Sequence, residues 1–326
     1  MNQKPLPIIF DCDPGIDDAV ALLMAMASPA IQLLGISTVV GNTSLSKIQR
    51  NARYLCELAG RADVPVFAGC PRPLMSWTHY DDPRTSEAFS YVAHIHGATG
   101  LGNHPLTEPH HPLQLVHAVS FLIDTLSKVS EKITLLATGP LTNIATALVQ
   151  APEIRRNLER IILMGGVRGV GNITPSAEHN FFVDPHAASI VFDAGVPVVM
   201  SGLDLTRQVP VTPELMERIR SQKTQVSQAL VEIIESRPSN HFEPGMTVSV
   251  LHDPTVVVYL LRPDLFKGRE AYVSIDTNAG ASMGRSNVYF SSSEPSNAFV
   301  LEEVNLEGFY EVMLDLLSSY QRRESF

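Results

Sequence analysis

Short, continuously apolar segments alternate with helical segments along most of this 326-residue chain. Strands that are covered by helices on both faces are apolar throughout rather than at every second residue. When helices connect successive strands, the strands lie side by side in a mostly parallel sheet. The chain is therefore predicted to have an α/β fold, with an open, mostly parallel, twisted sheet and helices on both faces.

The apolar pattern gives bounds for these elements. Strands are predicted at Pro7–Cys12, Leu33–Val40, Val64–Ala68, Ile133–Ala137, Arg160–Met164 and Val196–Ser201. Helices are predicted at Asp18–Ala27, Leu45–Ala59, Leu113–Lys128, Thr142–Val149 and Pro185–Ala194. Nearer the end, the pattern predicts strands at Ala271–Ile275, Asn287–Phe290 and Ala298–Val304, and a helix from Leu306.

Two segments interrupt this alternation. Residues 71–112 are rich in His, Pro and polar residues. Residues 212–250 resemble a long helix followed by a loop interrupted by Pro and Gly at 237–245. Long irregular segments in a compact α/β fold are often lids over a site, so both are predicted lids. With no repeat and no convincing linker, residues 1–326 are predicted to form a single catalytic domain.

Composition limits the partners and the compartment. The formal charge is −10, which argues against a nucleic-acid backbone or an anionic membrane as partner. The longest apolar helix candidate, Ala19–Ala27, is far too short to span a bilayer. The three cysteines, Cys12, Cys56 and Cys70, form no C-x-x-C pair and are expected to be reduced thiols. A cytoplasmic protein is predicted.

The first predicted strand ends in a dense acidic loop. Asp11 and Asp13 close the strand, Pro14 and Gly15 make a turn, and Asp17 and Asp18 open the next helix. One such carboxylate is explained as a helix cap, but four crowded carboxylates repel one another. A hard cation resolves that repulsion, and oxygen-rich sites suit Mg²⁺ or Ca²⁺. The loop is therefore predicted to bind a divalent cation and to serve hydrolysis of a small molecule.

The sequence DCDPGIDDAVALL, from Asp11 to Leu23, resembles the opening signature of the nucleoside hydrolases, the inosine–uridine-preferring family. The resemblance covers roughly residues 8–265. Its further blocks, in family order, are VGN at 40–42, HG at 96–97 with GL at 100–101, ATGPLTN at 137–143, LMGG at 163–166, GNITPSAEHNFFVDP at 171–185 and LHDP at 251–254. A Rossmann-like core and hydrolysis of the N-glycosidic bond of ribonucleosides, giving ribose and a free base, are what this resemblance implies.

The resemblance also implies roles for individual residues. One Ca²⁺ would be held by Asp13, Asp18, the backbone carbonyl of Thr138 and Asp253, with Asp11 behind them. Asp13 would orient and deprotonate a water bound to the metal, and His252 would help the leaving base depart. The residues implied to bind the substrate are Asp17, Asn42, His96, Met164, Asn172, Glu178 and Asn180. A homodimer or homotetramer is expected.

One departure from the family pattern bears on specificity. The family usually has an aromatic residue between the Glu and Asn of its A-E-x-N block, where this chain has His179. The segment before His252 also departs, and its candidate base contacts are Asn240, His241 and Phe242. The sequence leaves purine or pyrimidine preference open.

Two other functions remain as alternatives. One is a non-catalytic ribose or nucleoside sensor on the same fold. The other is a haloacid-dehalogenase-like phosphohydrolase, which also places D-x-D after its first strand.

Overall fold

The computed structural model describes residues 4–75, 95–237 and 248–323, and within these residues one sheet of ten strands forms the centre of the molecule. The order across the sheet is β4-β3-β2-β1-β5-β6-β7-β10-β8-β9. The strands are β1 Leu6–Cys12, β2 Ile31–Thr38, β3 Val66–Ala68, β4 Leu113–Gln114, β5 Ile133–Ala137, β6 Leu158–Met164, β7 Val198–Ser201, β8 Phe266–Ile275, β9 Ser286–Tyr289 and β10 Ala298–Val304.

The pairing confirms the predicted mostly parallel sheet. Every neighbouring pair from β4 to β10 along that order is parallel, whereas β10 with β8 and β8 with β9 are antiparallel. The central strand β1 shows why its sequence is apolar throughout. Ile8, Ile9 and Phe10 are all fully buried although successive side chains point to opposite faces, because helices cover both faces.

The helices largely follow the predicted bounds. They are α1 Ile16–Ala27, α2 Leu45–Leu58, α3 Ala118–Lys128, α4 Thr142–Gln150, α5 His179–Val183, α6 Pro185–Asp193, α7 Leu203–Thr206, α8 Pro213–Arg220, α9 Gln225–Glu235, α10 Pro254–Leu261 and α11 Leu306–Arg323. Short 3-10 helices lie at Pro152–Asn157 and Pro263–Leu265.

Two predicted helices were wrong in part. The helix predicted to begin at Leu113 begins at Ala118, because Leu113 and Gln114 pair with β3 and His117 caps the helix through its side chain. The long helix predicted after residue 212 is two helices, α8 and α9. Lys223 between them has a left-handed backbone with φ of 56°, which an α-helix does not allow. Thr224 then caps α9.

Helix α1 is buried along its whole length, including its two aspartates. The last helix of the chain, α11, packs against it. The Tyr320 hydroxyl of α11 donates a buried hydrogen bond of 2.7 Å to the Leu23 carbonyl of α1. The N-terminal helix is therefore covered by the C-terminal one.

The predicted lids fall partly outside the described residues. Within them, Leu101, His104 and His111 of the first segment and most of the α9 side chains of the second are buried against the body of the protein. Free cysteines occur at all three positions, Cys12 and Cys56 being buried. None of the described helices is long and apolar enough to cross a bilayer.

The sheet order reverses between β1 and β5. Strands β2 and β3 follow on one side of β1, and β5, β6 and β7 follow on the other. The loops that leave β1 and β5 therefore diverge, and a crevice opens at their carboxyl ends. In open α/β sheets ligands bind at this switch point.

Candidate active site

The acidic loop occupies the crevice at the switch point. It runs from Asp11 in β1 to Asp18 in the first turn of α1, with Gly15 as the residue that caps the helix. Asp13 and Asp18 are fully buried, and Asp17 is nearly so. Such burial is costly for charged groups unless they are compensated.

Asp253, directly before α10, lies close to this loop although it is distant from it in the sequence. Carboxylate oxygens of Asp17, Asp18 and Asp253 all lie within 4.8 Å of one another. We call Asp13, Asp17, Asp18 and Asp253 the acid cluster. Asp17 is one of these three close carboxylates, although the sequence analysis assigned it to the substrate. Asp13 lies beside the three. Asn42 connects them, since its side-chain amide donates to Asp18 Oδ2 at 2.9 Å and its backbone N–H to Asp13 Oδ2 at 2.6 Å.

Only one of the two carboxylate oxygens of Asp13, Oδ2, has a hydrogen-bond partner among the described residues. Its Oδ1 is buried and has no hydrogen-bond partner among the described residues. Two glycines make room for this carboxylate. A Cβ at Gly41 would lie 1.9 Å from Asp13 Oδ2, and a Cβ at Gly139 would lie 2.8 Å from Oδ1. The neighbouring backbone is therefore shaped around the Asp13 carboxylate.

The pKa values within the cluster show how little positive charge surrounds it. Burial raises the pKa of Asp18 to about 6, and burial raises the pKa of Asp13 and of Asp253 well above the usual range. Burial also acts on Asp17, but the charge of the nearby Arg237 does most to outweigh burial, and the pKa of Asp17 is lowered. An orphaned buried oxygen and crowded carboxylates with one nearby arginine are a donor set that fits a divalent cation.

The side chain of Asp11, which the resemblance puts behind the metal-binding carboxylates, is hydrogen-bonded outside the acid cluster. Its Oδ2 accepts hydrogen bonds from Ser37 Oγ at 2.5 Å and Asn143 Nδ2 at 2.8 Å. These bonds join β1 to β2 and to the first turn of α4. Burial raises the pKa of Asp11 to about 7. Asp11 therefore fixes the end of β1 rather than contacting the other carboxylates by a hydrogen bond.

A cavity opens beside the acid cluster. Its atom-free space, including the open mouth, measures about 780 Å³. Ten of its lining residues were predicted from the sequence: Asp17, Asn42, His96, Thr138, Met164, Asn172, Glu178, Asn180, His252 and Asp253. The remaining lining residues are Ile95, Ile173, His179, Arg237, Val248, Ser249 and Val250.

Asn180 fastens the carboxyl ends of β5 and β6. Its Nδ2 donates to the Thr138 carbonyl at 2.7 Å and to the Met164 carbonyl at 3.1 Å. Both amide hydrogens are thereby used, which leaves Oδ1 to accept from another group. Thr138 in turn donates through Oγ1 to Asp18 Oδ1 at 2.7 Å. The predicted ligand Thr138 therefore lies against the acid cluster.

Glu178 has a local structural role that the sequence analysis missed. As the N-cap of α5 it accepts from the backbone N–H groups of Asn180 at 2.8 Å and Phe181 at 3.2 Å. It also accepts from Gly166 N at 2.9 Å, across the loop after β6. Burial raises its pKa to about 7. The helix start alone thus explains why a buried glutamate occurs here, although it also faces the cavity.

Both predicted histidines have a hydrogen-bond partner at Nδ1. His252 Nδ1 lies 2.8 Å from Thr206 Oγ1. His96 Nδ1 accepts from the backbone N–H of Ile16 at 3.0 Å, at the start of α1. Burial lowers the pKa of His96 to about 3, so its ring is neutral near pH 7. His96 therefore caps the acidic helix as well as lining the cavity.

Arg237 is the residue that sequence reasoning overlooked. Its guanidinium is buried, with Nη2 3.5 Å from Asp17 Oδ1 and Nη1 3.1 Å from the Val250 carbonyl. The sequence signal was only an arginine at the start of an irregular segment, with its partner 220 positions away. The candidate base contacts Asn240, His241 and Phe242 lie outside the described residues.

The family of the chain is shown by a match to a protein-family model. The model described as inosine-uridine preferring nucleoside hydrolase matches residues 8–311. The chain belongs to this family. It is thus an N-glycosyl hydrolase, and the sensor and phosphohydrolase alternatives are set aside.

Individual nucleoside hydrolases are similar to this chain along nearly its whole length. The pyrimidine-specific ribonucleoside hydrolase RihA of Shewanella sp. strain ANA-3 is 39% identical over 318 residues, covering 96% of each chain. RihA of Citrobacter koseri is 38% identical and covers 97% of this chain and 99% of its own. Among solved structures, the purine-preferring ribonucleoside hydrolase from Gardnerella vaginalis is 29% identical, with a TM-score of 0.87 over 97% of this chain and 99% of its own. The plant nucleoside hydrolase PpNRh1 is 28% identical, with a TM-score of 0.85 over 96% of this chain and 99% of its own.

Proposed function

We propose that this nucleoside hydrolase cleaves pyrimidine ribonucleosides to ribose and free base, with one Ca²⁺ bound at the acid cluster. The observation that supports it best is the buried carboxylate trio of Asp17, Asp18 and Asp253, two of which, Asp17 and Asp253, line the cavity. The mechanism below follows from the groups that surround this cavity.

We assign the ion to Asp13, Asp18, Asp253 and the Thr138 carbonyl. All four supply oxygen, the ligand that Ca²⁺ prefers, and the unpartnered Oδ1 of Asp13 is explained by such an ion. Asp17 is an additional candidate because of its place in the trio. When bound, the ion supplies positive charge that makes a neighbouring water more acidic.

Asp13 serves as the general base. Asn42 fixes its Oδ2, so the carboxylate cannot rotate freely, and a lone pair of Oδ1 that the ion would not use accepts a proton from the attacking water. Two glycines allow this carboxylate its place in the crevice. The proton therefore moves to a group of fixed orientation.

Oxygen atoms of the cavity stabilise the sugar as its bond to the base breaks. Breaking the bond places positive charge on the ribosyl ring. Asn180 Oδ1, Glu178 and Asp17 line the cavity and present negative or partly negative oxygen to that charge. Asn180 does so with both of its amide hydrogens already bound to backbone carbonyls, which fixes its orientation.

His252 protonates the leaving base. When the Thr206 hydroxyl donates to Nδ1, the neutral imidazole carries its proton on Nε2. The ring is then oriented as a proton donor by a residue from α7. Thr206 is a positioning residue in this scheme.

The preference for pyrimidines is supported by the names of the curated relatives that share 38–39% identity. The test is the release of ribose from uridine, cytidine, inosine, adenosine and guanosine, with calcium and with a chelator. We expect uridine and cytidine to have the highest kcat/KM and the chelator to remove the activity. Faster cleavage of inosine or guanosine would reverse the assigned preference, and full activity with the chelator would exclude the ion.

We further propose that the enzyme works in the cytoplasm as a homodimer or homotetramer. Light scattering on the purified protein measures the assembly, and fractionation of cells that express the protein measures its location.

A further inference from the structure

His179 is buried at the cavity wall with nothing bound to its ring. It is 8% exposed, and neither Nδ1 nor Nε2 has a hydrogen-bond partner in the described part of the chain. It is the one described residue with two such side-chain atoms. Most buried polar atoms in proteins are hydrogen-bonded, so each exception calls for a reason.

The free protein gains no stability from these two nitrogens. A buried donor or acceptor without a partner is destabilising, whereas an apolar ring of similar shape would not be. The hydrogen-bond partner of the His179 ring is therefore expected to be an atom of a bound ligand. Proteins commonly sacrifice some stability at sites of function.

The chemistry of the ring defines the partner. Burial lowers the pKa of His179 to about 4, so near pH 7 the imidazole is neutral. A neutral imidazole has one N–H donor and one acceptor nitrogen. It suits an uncharged group that both donates and accepts, such as a hydroxyl or the polar edge of a base, better than a phosphate.

The backbone holds His179 next to groups that we assign to the sugar. Its N–H donates to Asn172 Oδ1 at 3.0 Å, and it begins α5 directly after the capping residue Glu178. Asn180 follows it and is fixed between β5 and β6. The ring is thus carried by a segment anchored at both ends, which gives it a defined position in the cavity.

We propose that His179 is a specificity-determining residue that hydrogen-bonds an uncharged donor–acceptor group of the nucleoside, either the 5′-hydroxyl of the ribose or the polar edge of the base. This inference rests on the proposed function and extends it to a position that determines substrate choice.

The test combines one substitution with substrates that lack one group each. His179→Phe keeps an aromatic ring and removes both nitrogens. We measure kcat and KM of wild type and variant on uridine, 5′-deoxyuridine and p-nitrophenyl riboside. On uridine the variant should lose about 10-fold to 100-fold in kcat/KM, the scale expected for a lost hydrogen bond in a binding site.

The other two substrates separate the two sources. If the partner is the 5′-hydroxyl, the loss disappears with 5′-deoxyuridine and persists with p-nitrophenyl riboside. If the partner is the base edge, the loss disappears with p-nitrophenyl riboside and persists with 5′-deoxyuridine. An equal loss on all three substrates, or no loss on any, overturns the proposal.

Two further variants separate hydrogen bonding from packing. His179→Asn keeps a donor and an acceptor, and it should recover part of the activity on uridine that His179→Phe loses. Ile173→Val alters an apolar residue of the same cavity and should change all three substrates by the same factor. The Tm of His179→Phe should stay equal or rise by about 1–3 °C. A lower Tm together with a uniform loss would assign His179 to packing.

A failure of the proposed function leaves this test intact. If the wild type does not cleave uridine, the assigned substrate preference fails. Dissociation constants of uridine, 5′-deoxyuridine and cytidine for wild type and His179→Phe, from calorimetry, then test His179. Weaker binding of uridine and cytidine, with unchanged binding of 5′-deoxyuridine, supports the sugar contact. Weaker binding of uridine and 5′-deoxyuridine by the same factor, with a different factor for cytidine, supports the base contact. Equal effects on all three overturn the proposal here too.

Discussion

Two carboxylate-rich regions at opposite parts of the sheet differ in how their charge is balanced. At the antiparallel edge formed by β8, β9 and β10, Glu302 binds Arg269 Nε at 2.6 Å and Arg168 Nη1 at 2.9 Å. Hydrogen bonding to Arg269 lowers the pKa of Glu302 despite some burial. In the acid cluster the carboxylates are buried, and Arg237 forms an ion pair with one of them, Asp17.

The edge balances its charge within the chain, whereas the crevice has the charge distribution of a site that binds a ligand. At the edge, Arg168 and Arg269 balance the charge of Glu302, so no bound ion is needed there. In the crevice, burial raises the pKa of Asp13 and Asp253 because the chain supplies too little positive charge. Substitutions in the two regions should therefore have opposite consequences for activity and for stability.

Asp13→Asn should produce the largest effect. The amide cannot accept the proton of the attacking water, and loss of a general base typically lowers kcat by about 10²–10⁴. The folded protein should be as stable as wild type or more so without calcium, since one buried charge is gone. Steady-state kinetics and thermal unfolding measure both. Near wild-type turnover in this variant would remove Asp13 from the mechanism.

The matched control for Asp13→Asn is Glu302→Gln. It makes the same chemical change, a carboxylate to its amide, at the antiparallel edge. Its kcat should equal that of the wild type, because neither Glu302 nor the arginines that it binds line the cavity. A loss of activity comparable with that of Asp13→Asn would mean that the two regions do not differ as described.

His252→Ala should have the next largest effect, and it should depend on the substrate. A natural base needs a proton to depart, whereas p-nitrophenolate is a good leaving group and needs little help. The variant should lose about 10²–10⁴ in kcat on uridine and little on p-nitrophenyl riboside. Equal losses on both substrates would assign His252 to the fold or to the acid cluster, not to leaving-group departure.

Calcium should stabilise the protein through the acid cluster. At a concentration 100 times the dissociation constant, an ion that binds only the folded state adds about 2.7 kcal/mol to the free energy of unfolding. The shift in Tm between calcium and chelator measures this gain. Asp253→Asn should reduce the shift, whereas Glu302→Gln should leave it unchanged. A full shift in Asp253→Asn would place the ion elsewhere.

The smallest expected effect is that of Glu302→Gln on the stability of the protein. Glu302→Gln removes ion pairs of partly exposed side chains, which contribute little because water and salt screen them. We expect its Tm to fall by less than about 2 °C, and the fall to shrink at 1 M salt. A drop several times larger would show that this edge depends on its charges for stability.

Much of the fold and of the site could be predicted because the signals were local. The apolar run that ends at Asp11 gave β1, and the carboxylates that follow it gave the crevice. Other features had no such signal. The left-handed backbone at Lys223 split a helix whose sequence is helical on both sides.

The missed site residues depend on contacts between distant segments. Arg237 meets Asp17 only after folding brings residues 220 positions apart together. Glu178 was assigned to substrate alone because its contact with Gly166 across the β6 loop cannot be seen in the sequence. His179 stood out as a departure from the family pattern, but its unpartnered ring required the structure.

The contact between α1 and α11 has a consequence for how the enzyme is made. Helix α1 carries Asp17 and Asp18, yet the hydrogen bond that Tyr320 donates to it comes from a residue 297 positions further along the chain. A nascent chain therefore lacks the packing of α11 against this apolar helix until α11 has been synthesised, and exposed apolar surface promotes aggregation. The helix that carries two carboxylates of the site is thus synthesised long before its cover is complete.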